Sequence, residues 1–489
     1  MPNMLLAVNN TGKIRNFTKV SSQNPYFPIL LLIAMSIALI TFFKPKIGLF
    51  VMLFFFLIST DMPLGGEESG RSTTIRIEDI ILLLVSGGWL LNRAKTRTLG
   101  YIKRVPINKS IFYMICIILL ATVLGYLQGF VPLRRGILFS MKRLEYFWIF
   151  FMTLNTLSEA KETQRAFNLL LGVTAFVAVV GIIQFFLFPF SQLTGGGATS
   201  TTGFGRANTL ADFYLLLTGI TLGLTIYTTK TKKRLLYLGL LFLCLTAILM
   251  TKSRGAYVSI PPLLFVIILI SKSKKTLLTL FVLCLCFLFY QTSILLFKVQ
   301  GGAGRLIEKH RDDMSQQFNS IGNVIKEGPR GDSSFYARYS AWENSLPEIV
   351  RHPVFGHGVG SKPLSFFDCH YVREAYETGL FGLLLFLYMN YIIFITVYAL
   401  FKTTEVPHIK GLALGFIGGH LGMMVHGITI ANFYTILNME VFWLTVALLM
   451  ILYHNELKAQ LSTNALNNSE KEMESSQNKQ LEEIKISST

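Results

Sequence analysis

Residues 111–131 read IFYMICIILLATVLGYLQGFV, a stretch without one charged side chain. A helix crossing a hydrocarbon layer of about 30 Å needs roughly 20 predominantly apolar residues, and this run meets that need. Ahead of it lies a short connection holding Arg93, Lys95, Arg97, Lys103, Arg104 and Lys109 and no acid. Beyond that connection, apolar runs at 27–43, 47–60 and 77–92 lead in. On the other side, runs follow at 144–157, 166–190, 209–228, 235–251, 255–271, 276–297, 380–402, 407–427 and 436–453. Their recurrence predicts an all-α polytopic membrane bundle of about 12 transmembrane helices. Composition agrees: 15% of the residues are charged, where a soluble domain carries about a quarter.

The formal net charge of +18 raises nucleic acid as a partner. The basic residues, however, form short acid-free clusters between apolar runs: 93–109, then Lys230, Lys232, Lys233 and Arg234, then Lys272, Lys274 and Lys275. Such clusters mark cytoplasmic loops, so the expected partner is a lipid bilayer and no nucleic acid. Counting outward from them puts 191–208, 252–254, 298–379 and 428–435 on the extracytoplasmic face and both termini in the cytoplasm. The expected organisation is a polar N-terminal segment (1–26), helices over 27–297, an extracytoplasmic lid loop of short helices (298–379), helices over 380–453, and a disordered cytoplasmic tail (454–489) rich in Ser, Asn, Glu and Lys. Lys13, Arg15 and Lys19 ahead of the first run imitate a signal peptide, but no small-residue cleavage site follows, so that run reads as a retained helix. Of five cysteines, Cys116, Cys244, Cys284 and Cys286 lie inside apolar runs, which gives no disulfide framework.

Cations on the far side run against the positive-inside rule. Arg206 stands in Gly-Phe-Gly-Arg-Ala-Asn, Arg254 in Thr-Lys-Ser-Arg-Gly, and Arg338 in Ala-Arg-Tyr-Ser-Ala-Trp, with Arg134, Arg135 and Arg143 as further candidates. Each alone is as well explained by snorkelling or pairing. Together they suit an anionic ligand, because guanidinium forks fit phosphate oxygens bidentately. A second cluster is CHYVREAYETGLFG, residues 369–382. On a helix His370, Glu374 and Glu377 fall on one face, the arrangement of a general base oriented by a carboxylate. A metal site and a structural histidine are the rival readings, and no third ligand supports a metal. The glycine-rich stretch 353–360, PVFGHGVG, lacks the Lys-Ser/Thr of a phosphate loop; its glycines are expected to let the backbone pass close to something, with His357 a turn residue. His420 and His426 are six apart in an apolar run and are expected in core packing. No Walker A motif, hydrolase elbow or nucleotide-sugar domain is present.

With these motifs in this order, from Arg76-Ile77-Glu78-Asp79 through Ser253-Arg254-Gly255, Arg338 and Gly356-His357-Gly358 to His370–Gly382, the sequence resembles the O-antigen ligase and O-antigen polymerase superfamily, whose members share a Wzy-C-type region, here about 235–390. Tyr371 stands where family members often carry Asn after the histidine. The resemblance implies an inverting, metal-independent glycosyl transfer without cofactors. The donor would be an undecaprenyl-diphosphate-linked glycan and the acceptor a hydroxyl of a glycan or lipid, on the outer face of a bacterial cytoplasmic membrane. Arg254 and Arg338, with Arg206, would hold the diphosphate, and His370, helped by Glu374 or Glu377, would take the acceptor proton. A polyprenyl-linked glycan flippase or a small-solute transporter is the alternative. It is disfavoured by the absence of an evident repeat and of midplane charges.

Overall fold

The computed structural model describes residues 27–56, 61–68, 71–98, 100, 102–187, 207–272, 316, 319–320, 322–362 and 368–487. In chain order the helices are α1 (Phe27–Phe43), α2 (Pro45–Phe56), α3 (Ile77–Lys95), α4 (Asn108–Leu127), α5 (Leu133–Thr156), α6 (Ala160–Leu187), α7 (Ala207–Tyr227), α8 (Thr231–Thr251), α9 (Arg254–Ser271), α10 (Ser333–Arg351), α11 (His370–Thr403), α12 (Pro407–His426) and α13 (Ile436–Ser487). The all-α polytopic membrane architecture is the observed one. It carries one antiparallel hairpin, β1 (Asp61–Glu68) and β2 (Arg71–Arg76), whose register slips between Pro63 and Glu67, where Gly65 and Gly66 permit a bulge.

A helix covers the described part of every expected apolar run except 276–297, which lies outside the described residues. Seven helices among the described residues are long and apolar enough to cross a membrane: those over 108–127, 160–183, 207–227, 231–251, 254–271, 370–403 and 438–462. The others fall short for visible reasons. Helices α1 and α2 are separate pieces of 17 and 12 residues, and α5 carries Arg134, Arg135, Lys142, Arg143 and Glu145. One correction concerns the tail expected to be disordered: α13 continues through it to Ser487, over a composition rich in good helix formers.

Helix α7 is the centre of the bundle, with every residue of Ala207–Tyr227 in its membrane window buried inside the protein. Its closest neighbour is α12. A Cβ added to Gly223 would stand 2.2 Å from the Gly411 carbonyl oxygen, and one on Gly219 would stand 2.4 Å from that of Gly415. Small residues four apart on both helices thus bring the two backbones together, the usual way that apolar helices gain contact where lipid is as apolar as leucine.

The two ends of the bundle differ. At one end Lys103 donates to the Leu157 carbonyl and the Ser158 hydroxyl, Asn455 donates to the Ser158 carbonyl, and Thr404 donates to Glu456. The 228–234 connection joins this end through Tyr227 against Phe401. The basic connections 93–109 and 230–234 therefore share an end, and Arg254, α10 and the start of α11 lie at the other.

Candidate active site

Segments far apart in sequence meet at that second end. Lys252, in the left-handed region at φ 55°, turns the chain from α8 into α9, and Arg254 opens α9. The Arg254 guanidinium donates to the Asp332 carboxylate and to the Ser320 hydroxyl. Asp332 is the N-cap of α10: its Oδ1 accepts the Phe335 N–H at 2.8 Å and its Oδ2 accepts the Ser320 hydroxyl at 2.7 Å. Burial pushes this carboxyl up, but the hydrogen bonds from Arg254, Ser320 and the Phe335 N–H outweigh burial and hold it down at about 2. Arg338, also on α10, donates to Ser334 Oγ at 2.9 Å and sets its Nε 3.2 Å from Asp368. Two guanidinium groups therefore converge on the first turn of α10.

Two residues beyond Asp368, His370 opens α11, and its main-chain N–H donates to the Gly427 carbonyl at 2.8 Å. The turn after α12 that supplies this carbonyl also reaches Arg254's neighbours: Ser253 Oγ is 3.4 Å from His426 Nε2, and a Cβ on Gly255 would stand 2.1 Å from Thr429 Oγ1. Contacts and nearness along the chain thus link Arg254, Asp332, Ser334, Arg338, Asp368, His370, Gly427, His426 and Ser253. These links bring Arg254, Arg338 and His370 together. Arg206 lies outside the described residues.

His370, Glu374 and Glu377 are all buried on the face their spacing predicts, yet the expected imidazole–carboxylate pair is not formed. Glu374 accepts from Thr378 Oγ1 and from the Tyr434 hydroxyl, each at 2.8 Å, and from Arg143 at 3.2 Å. Glu377 accepts from Arg143 at 2.9 Å and from Arg373 Nε and Nη2 at 3.1 and 3.0 Å. A carboxylate taken out of water is better compensated by a guanidinium than by an imidazole, because charge and paired donors arrive together. Both guanidinium carbons also lie 4.0 Å from the Tyr434 ring centre. His370 is left 1% exposed, its ring 4.5 Å from that of Phe386 and 5.0 Å from that of Phe433. Neither of its nitrogens has a partner among the described residues. It borders a cavity of about 40 Å³ shared with Arg143, Glu374 and Asn390, room for a few waters.

The glycine-rich stretch packs against a break in α11. Gly379, at φ 74°, interrupts the helix, and the freed groups bond to the turn: the His357 and Gly358 N–H donate to the Tyr376 and Glu377 carbonyls at 2.9 Å, and the Leu380 N–H donates to that of Pro353 at 2.7 Å. A Cβ on Gly379 would stand 2.2 Å from the Val354 oxygen, and one on Gly356 would stand 2.5 Å from that of Tyr376. His357 lies stacked on the Tyr376 ring at 4.2 Å, and burial lowers its pKa. Its place is structural.

His420 is packed as expected, with Nε2 2.8 Å from Asn390 Oδ1. His426 is more than packing. Its Nδ1 lies 2.9 Å from Asp212 Oδ1, and the fully buried Asp212 also accepts from Asn432 at 2.8 Å and from Asn438 at 3.0 Å. A relay Asp212–His426–Ser253 so stands directly behind Arg254. The signal for it was a lone acid inside an apolar run, which in a membrane asks for a partner. The signal for Arg373 was its position four residues before Glu377. Arg143 stood among the candidate arginines, but nothing local marked it, or Tyr434, as a partner of the two glutamates. Among the described residues no group of three or more His, Cys, Asp or Glu is placed to hold a metal ion.

Residues 239–387 match the model of one protein family. That family is the O-antigen ligase family. The match, over less than a third of the chain, supports the O-antigen ligase and polymerase superfamily and, in general terms, ligase- or polymerase-type activity. The matched span takes in Arg254, Arg338, Asp368, His370, Glu374 and Glu377, whereas Arg143, Asp212, His426 and Tyr434 lie outside it. No curated protein matches the chain.

Proposed function

We propose that the protein transfers a glycan from undecaprenyl diphosphate to an acceptor hydroxyl, with inversion and without a metal, on the outer face of the cytoplasmic membrane. The observation that carries this reading is the convergence of Arg254 and Arg338 on the first turn of α10, each facing an aspartate that occupies the place of an anion. Two forked cations can bind the diphosphate in the ground state and neutralise it as it departs. Stabilising charge where it develops is often the largest catalytic contribution, and here it would stand in for a metal ion. His370 contributes by position: its main-chain bond to Gly427 and its caged ring fix the start of α11, two residues from Asp368. The placement of the site opposite the basic connections supports an extracytoplasmic location.

The test is transfer in proteoliposomes, using undecaprenyl-diphosphate glycan isolated from cells deleted for this protein, in which unconsumed donor accumulates. Arg254→Ala and Arg338→Ala should each lose a few hundredfold in rate, about 3 kcal/mol, and Lys at either position should rescue poorly because the fork is gone. Activity should survive EDTA. Full transfer by both alanine variants, or rescue of a chelated enzyme by one divalent ion, would overturn the reading.

A further inference from the structure

We infer that Asp212 is the positioning residue of the site, an inference that rests on the glycosyl-transfer reading above. Its carboxylate clamps the chain over 424–434, on which the start of α9, with Arg254, and the start of α11, with His370, are both mounted. Transfer between two bound molecules needs the groups that hold them in one fixed geometry, and here those groups stand on different helices. The end of α12 and the turn after it touch both. On the α9 side, Ser253 Oγ lies 3.4 Å from His426 Nε2, and a Cβ on Gly255 would stand 2.1 Å from Thr429 Oγ1. On the α11 side, the His370 N–H donates to the Gly427 carbonyl, and the Tyr371 hydroxyl donates to that of Met424 at 2.6 Å. The Phe433 ring lies against the His370 ring, and the Tyr434 hydroxyl donates to Glu374.

Asp212, buried on α7, fixes this turn from below. Its Oδ1 accepts from His426 Nδ1 at 2.9 Å and from Asn432 Nδ2 at 2.8 Å, and its Oδ2 accepts from Asn438 Nδ2 at 3.0 Å. Asn432 Nδ2 also donates to the Met423 carbonyl at 2.8 Å, which closes the turn on itself. An ionised carboxylate only accepts, so His426 Nδ1 carries a hydrogen, and Nε2 of the neutral ring is left to accept from the Ser253 hydroxyl. Packing alone does not call for an acid here. The glycine seam already joins α7 to α12, and a carboxylate withdrawn from water is costly until its partners offset it. What its directional bonds add is a fixed orientation of the turn, and through the turn a fixed placing of Arg254 relative to His370.

A mount and a brace for the fold differ in what a variant loses. Asp212→Ala, Asp212→Asn and Ser253→Ala would be compared with the wild type in proteoliposomes holding the accumulated donor, with the cell-envelope lipid fraction as acceptor. Turnover and donor KM would be measured per folded molecule, counted by size-exclusion profile. Asp212→Ala should keep donor KM within about threefold and lose on the order of 100-fold in kcat, the cost of a misplacement of about 1 Å. Asp212→Asn, whose side-chain oxygen can still accept from His426 and Asn432, should recover about tenfold of that loss. Ser253→Ala removes only the last link and should lower kcat about tenfold at unchanged KM. A brace would instead give a lower unfolding temperature with wild-type kcat per folded molecule in Asp212→Ala and Ser253→Ala alike, and that result would overturn the assignment. A raised donor KM with kcat retained would overturn it too, since Asp212 would then serve donor binding. Should Asp212→Ala fail to accumulate, Ser253→Ala decides by the same split. A wild type without transfer would sink the glycosyl-transfer reading itself.

Discussion

At the scale of single residues, the site is a set of charges paid off in pairs, and the pairs differ in exposure. Arg254–Asp332 and Arg338–Asp368 lie where a ligand can replace the aspartate, whereas Arg143 and Arg373 are locked under the surface against Glu374 and Glu377. Asp332→Asn keeps the cap on α10 but removes the competing charge. It should tighten inorganic pyrophosphate binding roughly fivefold, the equivalent of about 1 kcal/mol for a partly exposed pair, as read by calorimetry. The acid dependence has a definite sign. The folded pKa of Asp332, about 2, lies below its ordinary 3.8, so the tie between lid and α9 is fully present above pH 3.8 and is lost as pH falls through about 2. Protease protection of the lid should fall over that window in the wild type, and Asp332→Asn should lack the step. Deeper in, Arg373→Leu strips Glu377 of one of its two guanidinium partners and should cost about 3–5 kcal/mol, visible as a lower unfolding temperature in detergent.

At the scale of elements, the bundle was legible because hydrophobic runs of spanning length survive any detail of packing. The shared face of His370, Glu374 and Glu377 followed from helical spacing, but its burial did not. Nor did the partners. Arg143 meets Glu374 across 231 positions of chain, and periodicity carries no information about which helix faces which. The His–carboxylate pair was misread for the same reason: its spacing is real, but competition from two distant guanidinium groups decides where the carboxylates point. The glycine seam was present in the sequence as Gly219, Gly223, Gly411 and Gly415, small residues at helical spacing that a hydrophobicity count passes over. Gly223→Val would drive a side chain into the Gly411 carbonyl of α12. It should abolish accumulation of folded protein, as judged by size-exclusion profile. Gly379→Ala, by contrast, should leave the bundle assembled and cost transfer activity, since the strain falls on the turn under the site.

At the scale of the whole molecule, polarity is the organising fact: basic connections at one end, the group of Arg254, Asp332, Arg338, Asp368 and His370 at the other. A tag placed between Lys309 and Lys326 should be labelled in intact cells, and one in 230–234 or beyond Asn455 only after permeabilisation. Labelling in the reverse sense would invert the topology. Truncation after Ser462 should leave transfer unchanged, because Asn455 and Glu456, which tie α13 to its neighbours, are retained.

The enclosure of α7 bears on how the chain is made. A ribosome delivers Asp212 to the membrane long before it delivers His426, Asn432 and Asn438, the side chains that satisfy its carboxylate. For the interval needed to synthesise some two hundred residues, which at about 5–20 residues per second is tens of seconds, the nascent chain holds an acid in or beside lipid without its native partners. Biogenesis of this protein is therefore expected to lean on whatever insertase or chaperone shelters half-made membrane bundles. Chains that stop short of α12 should be found with that machinery or with the quality-control protease rather than free in the bilayer.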